Sequence, residues 1–310
     1  MTNDLNQTRF VDLQVNGYGG IDFNSDNVTA DDFRVACSSL VKDGIECVLA
    51  TIITDSLPAM ERRLSAIVHA RDADGDVRRV LTGIHIEGPF LNETAGYIGA
   101  HPHEHALPAS DDAMQRLLDA AGGLTRIVTL APERDEKQRV TRKLSDSGIV
   151  VSAGHCNPTL DELDAAIDAG LSMFTHLGNG CPLQQHRHDN IVQRVLSRSS
   201  NLMIGFIADG VHVPLFALQN YIKCAGFDRC FVVTDAISAA GQGPGEYQLA
   251  GQTVVVDEQL ATWTADKSHL VGSASTMPHL VANLQSMQFD SIQIEALTRT
   301  NPLKAIGQAP

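Results

Sequence analysis

Apolar residues recur along this chain in short, β-branched runs separated by stretches with helical spacing. The runs are RFVDLQV (9–15), IECVLATII (45–53), RVLTGIHI (79–86), TRIVTLAP (125–132), GIVVSAG (148–154), LSMFTHL (171–177), LMIGFIA (202–208) and RCFVVTD (229–235). Several are almost wholly apolar rather than alternating, as in parallel strands buried on both faces. Most of the intervening segments are amphipathic. In TADDFRVACSSLVKDG, Thr29 caps a helix whose apolar face carries Phe33, Ala36, Leu40 and Val41, and Gly44 follows its end. In NPTLDELDAAIDAG, Thr159 and Glu162 form a capping box and Gly170 stops the helix.

Eight strands with interposed helices predict a (β/α)8 barrel of the TIM type, with a doubly wound open sheet as the competitor. No GxGxxG follows the first strand, and polar or ionisable residues lie at the ends of strands spread over the whole chain. They are Gln14 and Asn16 at strand 1, Glu87 after strand 3, His155 after strand 5, His176 at strand 6, Asp209 and His212 after strand 7, and Asp235 at strand 8. Only a closed barrel gathers all these C-terminal ends at one mouth, where barrel active sites lie. Residues 1–310 therefore read as a single barrel with a β-hairpin excursion at about 244–272, returning to helix at SASTMPHLVANLQSM and NPLKAIG.

Composition narrows the function. With 37 acidic against 23 basic residues the net charge is −14, which offers nucleic acid no basic surface. The start MTNDLNQTRF lacks a charged and then apolar leader, and no 18-residue apolar stretch occurs, so a cytoplasmic protein that avoids membranes is expected. The six cysteines are scattered without a CxxC pair, as suits reduced structural thiols.

One carboxylate (Glu87) and two imidazoles (His155, His176) converging at a barrel mouth form a three-ligand set for a divalent transition ion with a position left open, the pattern of catalytic zinc. Such an ion polarises a carbonyl and brings the pKa of water towards about 7. Asp235 could then take and return a proton. The other histidines fit blander roles: His103 and His105 as solvated loop residues, His69 as ambiguous within a helix, and His85, which shares a strand face with Glu87, as packing beneath the site or as support for its ligands.

The segments DLQVNGYGGIDFN, GIHIEGPFL, GAHP, SAGHCNPTLDELDAAIDAG, THLGNG, IADGVHV, VVTDAISAAG and LVGSASTM, spread over about residues 10–307, resemble in order and spacing the N-acetylglucosamine-6-phosphate deacetylases of the amidohydrolase superfamily. The resemblance implies deacetylation of an amino sugar phosphate, with one divalent metal ion, usually Zn2+, on Glu87, His155 and His176. It implies Asp235 as general base and then acid, and His212 as the residue that holds and polarises the acetamide carbonyl. His101, Asn179 and Gly180 would contact the sugar phosphate, and Arg187 would reach the phosphate of a neighbouring subunit in a homodimer. Many amidohydrolases begin with an HxH pair where this chain has Gln14 and Asn16, neutral amides that are poor zinc ligands, so one ion is expected rather than two.

Three departures from the family pattern stand out. The small β-sandwich domain usual in the family is expected to be absent, the loop HLGNGCP replaces an aromatic and an alanine–methionine pair, and His186 and His188 flank Arg187 in QQHRHDN. The competing readings are deacetylation of another substrate, such as N-acetylgalactosamine 6-phosphate or an N-acyl amino acid, and a silent sugar-binding barrel.

Overall fold

A computed structural model describes residues 9–309. Eight parallel strands follow one another in sequence order around one sheet: β1 (Phe10–Val15), β2 (Ile45–Ile53), β3 (Leu81–Glu87), β4 (Thr125–Leu130), β5 (Val150–Ala153), β6 (Leu171–Phe174), β7 (Met203–Ile207) and β8 (Cys230–Val233). The sheet closes on itself just beyond the last strand. A parallel bridge joins Val15 to Ala236, Asn16 N donates to Ala236 O at 2.7 Å, and the buried Asp12 carboxylate accepts from Thr234 N and, at 2.6 Å, from Thr234 Oγ1. This is the expected (β/α)8 barrel.

The helices form for the local reasons the sequence supplies. The helix Ala30–Lys42 is capped by Thr29 with Asp32 answering as a capping box, and Leu160–Asp168 by Thr159 with Glu162. One expectation fails: Val41 is 47% exposed, and Cys37 takes its place on the buried face with Phe33, Ala36 and Leu40. At 100° per residue Val41 is turned well away from Leu40, outside the stripe that faces the sheet.

Inside the barrel, Val11, Leu13, Leu49, Ile127, Met173, Phe231 and Val233 form an apolar lower layer. The outer faces of the strands pack on the helices. Strand β1 is irregular: Asp12 pairs with Val48 but Val15 with Ala50, an extra residue relative to β2. The bulge lets Leu13 pack in the interior while its neighbour Gln14 also reaches inward, which strict alternation forbids.

The excursion after β8 is a three-stranded antiparallel sheet, β9 (Gly245–Leu249), β10 (Gln252–Val256) and β11 (Thr262–Thr264), one strand more than the hairpin expected. Its Leu249, Val254 and Val256 pack on Ile53, Ile237 and Val271 beside the barrel mouth.

Candidate functional site

Five of the eight strands stop earlier than their apolar runs, β5, β6 and β8 among them. Strand β5 ends at Ala153, β6 at Phe174 and β8 at Val233, so His155, His176 and Asp235 stand two residues past their strands rather than on them. The reason lies in the backbone, which turns left-handed at each, with φ of 50°, 35° and 51°. That region is sparsely populated by residues other than glycine, and it re-aims each side chain over the mouth.

The turn brings the expected ligands together. His176 Nε2 lies 3.1 Å from Glu87 Oε1, His155 Nε2 lies 3.4 Å from the same oxygen, and the two Nε2 atoms are 3.2 Å apart. Among the described residues this is the one cluster of three such groups able to hold an ion. A tetrahedral ion with nitrogen and oxygen ligands at about 2.1 Å needs those atoms roughly 3.4 Å apart, so the donor set and its spacing fit a zinc-like ion. The imidazole of His155 is oriented from behind, its Nδ1 donating to Tyr97 O at 2.8 Å, which fixes the ring with Nε2 facing the cluster. Although burial pushes the Glu87 carboxyl up, hydrogen bonds from His155 and His176 hold it well below the usual carboxylate range.

Asp235 faces the cluster from the other side of the mouth. Its Oδ1 accepts from Asn16 Nδ2 at 2.7 Å and from Gln14 Nε2 at 3.0 Å, and the same Gln14 amide donates to Glu87 Oε2 at 3.1 Å. The two amides thus serve as donors to carboxylates. Burial first, and the charge of Glu87 second, push the Asp235 carboxyl up to about 6.

His212 lines the same cavity, its Nδ1 2.7 Å from Asp209 Oδ2. Asp209 also accepts the Val211 and His212 backbone N–H groups, both at 2.9 Å, and the Ser273 hydroxyl. Burial raises the Asp209 carboxyl, but the charge and hydrogen bonds of His212 outweigh it and bring it down to about 2. His101 is buried edge-on to His155, with ring centroids 4.4 Å apart, and burial pushes its imidazole down to about 3.

These groups line a cavity of about 650 Å³. Asn179 and Gly180 form part of its wall, and Gly180 is required there: at φ +60° a Cβ would stand 2.9 Å from His155 Nδ1. The excursion supplies the opposite wall with Leu249, Trp263, Ser268, His269 and Leu270, residues outside the barrel strands that no strand-end pattern marks. Among the described residues, no lysine or arginine lines the cavity. Arg187 is exposed and lies outside the cavity of its own chain. Beside it, His186 Nδ1 accepts the Asp189 N–H at 2.9 Å and so holds the loop's shape. His103 and His105 sit in a short 3₁₀ turn at the surface, and His69 is exposed on its helix.

No family model matches the chain. It is 34% identical over 276 residues to N-acetylglucosamine-6-phosphate deacetylase of Bos taurus, covering 86% of this chain and 66% of that protein. To the enzyme of that name from Bacillus subtilis (strain 168) it is 31% identical over 304 residues, covering 96% of this chain and 74% of the relative. To N-acetylgalactosamine-6-phosphate deacetylase of Shewanella sp. (strain ANA-3) it is 34% identical over 247 residues, 79% of this chain and 60% of that one. Among solved structures, N-acetyl-D-glucosamine-6-phosphate deacetylase from Mycobacterium smegmatis superimposes with a TM-score of 0.87 at 27% identity, covering 97% of this chain and 78% of that chain. N-acetylglucosamine-6-phosphate deacetylase from Pasteurella multocida does so at 0.84 and 30% identity, covering 97% and 76%.

Proposed function

Because the chain belongs to the N-acetylglucosamine-6-phosphate deacetylase family, we propose that it hydrolyses the N-acetyl amide of an amino sugar phosphate, releasing acetate and the free amine. The observation that carries this reading is the convergence of Glu87, His155 and His176 with Asp235 across one mouth. Glu87, His155 and His176 would hold one divalent ion, and their nitrogen and oxygen donors suit zinc. Bound there, the ion supplies Lewis acidity, polarising the acetamide carbonyl and making water acidic enough to ionise near neutral pH.

The chain's own groups divide the remaining work. Asp235, with its proton affinity raised towards neutrality, accepts a proton from the attacking water and then delivers it to the departing amide nitrogen. Asn16 and Gln14 fix that carboxylate by donating to the same oxygen. His212, its Nδ1 held 2.7 Å from Asp209 Oδ2, turns its imidazole to the acetamide carbonyl and stabilises the charge that develops on the oxygen. His101, Asn179 and Gly180 contact the sugar and its substituents.

Among the described residues no lysine or arginine lines the cavity to meet the phosphate. Arg187 of a second copy supplies one in this reading, since its planar fork suits a phosphate, and a homodimer follows. A cytoplasmic location rests on the six scattered, unpaired cysteines. The galacto epimer is the second reading, favoured by an identity to the Shewanella enzyme equal to that with the bovine one.

The test is acetate release from N-acetylglucosamine 6-phosphate and N-acetylgalactosamine 6-phosphate, with and without a chelator. Chelator-sensitive release from one or both is expected. Release that persists after complete chelation would remove the metal from the mechanism, and no release from either would return the silent binding barrel.

A further inference from the structure

One layer below the ligands, the barrel interior is not filled by the branched apolar side chains usual at that depth. Four polar side chains, none more than 3% exposed, occupy it instead: His85 on β3, Thr129 on β4, Ser152 on β5 and Thr175 just past β6. They form one continuous chain. His85 Nδ1 lies 3.1 Å from Leu13 O, His85 Nε2 lies 2.7 Å from Thr129 Oγ1, Thr129 Oγ1 lies 2.8 Å from Thr175 Oγ1, and Thr175 Oγ1 lies 2.7 Å from Ser152 Oγ.

The donors can be assigned by elimination. Leu13 O only accepts, so Nδ1 of His85 carries the proton, and Nε2 of the neutral ring accepts from Thr129. Each hydroxyl has one proton to give. Thr129 has given its own to His85, so it accepts from Thr175, and Thr175 accepts from Ser152. The chain runs from Ser152 to Leu13 with every donor used once. The β1 bulge anchors its end, because the break in the β1–β2 register between Asp12 and Val15 lies across Leu13.

The members sit directly under the ligands. His85 is two residues before Glu87 on the same strand face, Thr175 immediately precedes His176, and Ser152 is three residues before His155. Thr129, on a strand that carries no ligand, joins the β3 branch to the β6 branch across the interior. We infer that Thr129 is a positioning residue for the metal site, its hydroxyl tying the strand of Glu87 to the strand end of His176 so that the ligand atoms hold their mutual spacing. This rests on the metal-ligand assignment made above, and the measurement below separates the two.

The experiment titrates Co2+ into chelator-stripped full-length protein, following affinity by calorimetry and coordination by the visible absorption of the bound ion, with the melting temperature of each metal-free variant recorded alongside. Removing a group that orients metal ligands typically costs 10–100-fold in metal affinity. Thr129→Val, which strands both His85 Nε2 and the Thr175 hydroxyl, is expected to weaken Co2+ binding about tenfold and to alter the spectrum. Thr129→Ser keeps the hydroxyl and should stay within about threefold of wild type. Ser152→Ala removes only the terminal donor and should cost less than Thr129→Val.

A Thr129→Val protein that melts lower yet binds Co2+ with wild-type affinity and spectrum would overturn the inference, leaving a purely structural role. A Ser152→Ala loss as large as that of Thr129→Val would overturn the assigned direction of the chain. Wild-type protein that binds no Co2+ would overturn the ligand assignment and this inference with it. Should Thr129→Val not fold, Thr175→Val breaks the same link from the other side and carries the same expectation.

Discussion

Glu87 and Asp235 share a single donor: the Gln14 side-chain amide lies 3.1 Å from the Oε2 of one and 3.0 Å from the Oδ1 of the other. Two buried carboxylates that would otherwise only repel are thereby joined through one NH2 group. Replacing Gln14 by methionine, similar in size but without the donor, is expected to destabilise the protein by about 1–3 kcal/mol, the usual cost of leaving buried acceptors unpaired. It should also raise the proton affinity of Asp235 and shift the acid limb of the pH–rate profile upwards. Urea unfolding and a pH–rate series check both, and an unchanged profile would show that Gln14 does not tune Asp235.

Asp235→Asn separates chemistry from stability. The side chain loses its capacity to carry a proton, so turnover should drop roughly 10²–10⁴-fold. The variant should also gain roughly 0.5–2 kcal/mol, because a buried carboxylate is neutralised and asparagine tolerates the left-handed backbone at φ 51° better than most residues. Turnover near that of wild type would dismiss Asp235 as the proton carrier.

Gly180→Ala tests the packing behind His155. A Cβ at this position would lie 2.9 Å from His155 Nδ1, the atom that donates to Tyr97 O, on a backbone already at φ +60°. The ring must shift, and a metal affinity lower by about tenfold is expected. A crystal structure with His155 unmoved, or an affinity equal to wild type, would contradict this.

Asp12 sets a pH dependence of stability. Burial pushes its carboxyl up to about 7, against an ordinary value near 4 in the unfolded chain. Between those values the folded state holds a proton that the unfolded state has released, so stability falls as pH rises through this window. Asp12→Asn has no proton to lose. Its stability relative to wild type should therefore climb between about pH 4 and 7, by an amount on the order of a few kcal/mol. Unfolding free energies of the two proteins that run parallel across that range would refute the shift.

Trp263, the sole tryptophan of the chain, lies on the cavity wall with its indole N–H donated to Asp257 at 2.9 Å. Its fluorescence is expected to change on titration with N-acetylglucosamine 6-phosphate in the Asp235→Asn variant, and Trp263→Ala should raise KM more than it lowers kcat. Emission that stays constant at saturating ligand would place the substrate away from the excursion.

The barrel was legible in the sequence because parallel strands buried on both faces read as nearly uninterrupted apolar runs, and the candidate cluster because Glu87 and His155 follow such runs and His176 stands near the end of another. What stayed hidden depended on geometry that a linear pattern does not carry. The bulge that turns Gln14 inward has no sequence mark, so its bridging role was invisible. Ser152, Thr129 and Thr175 are ordinary strand residues until closure brings three separate strands within hydrogen-bond distance. Trp263 lies more than eighty residues from the nearest of Glu87, His155 and His176, and only the folding of β9–β11 over the mouth brings it to the cavity.

The left-handed turns at His155, His176 and Asp235 have a meaning for descent. A duplicated gene released from selection for hydrolysis would find gains in stability open at such positions, where asparagine or glycine suits the backbone and a buried charge can be shed. Chemistry would erode before architecture. Decay of this lineage should therefore leave behind intact barrels that no longer turn over substrate, rather than chains that no longer fold.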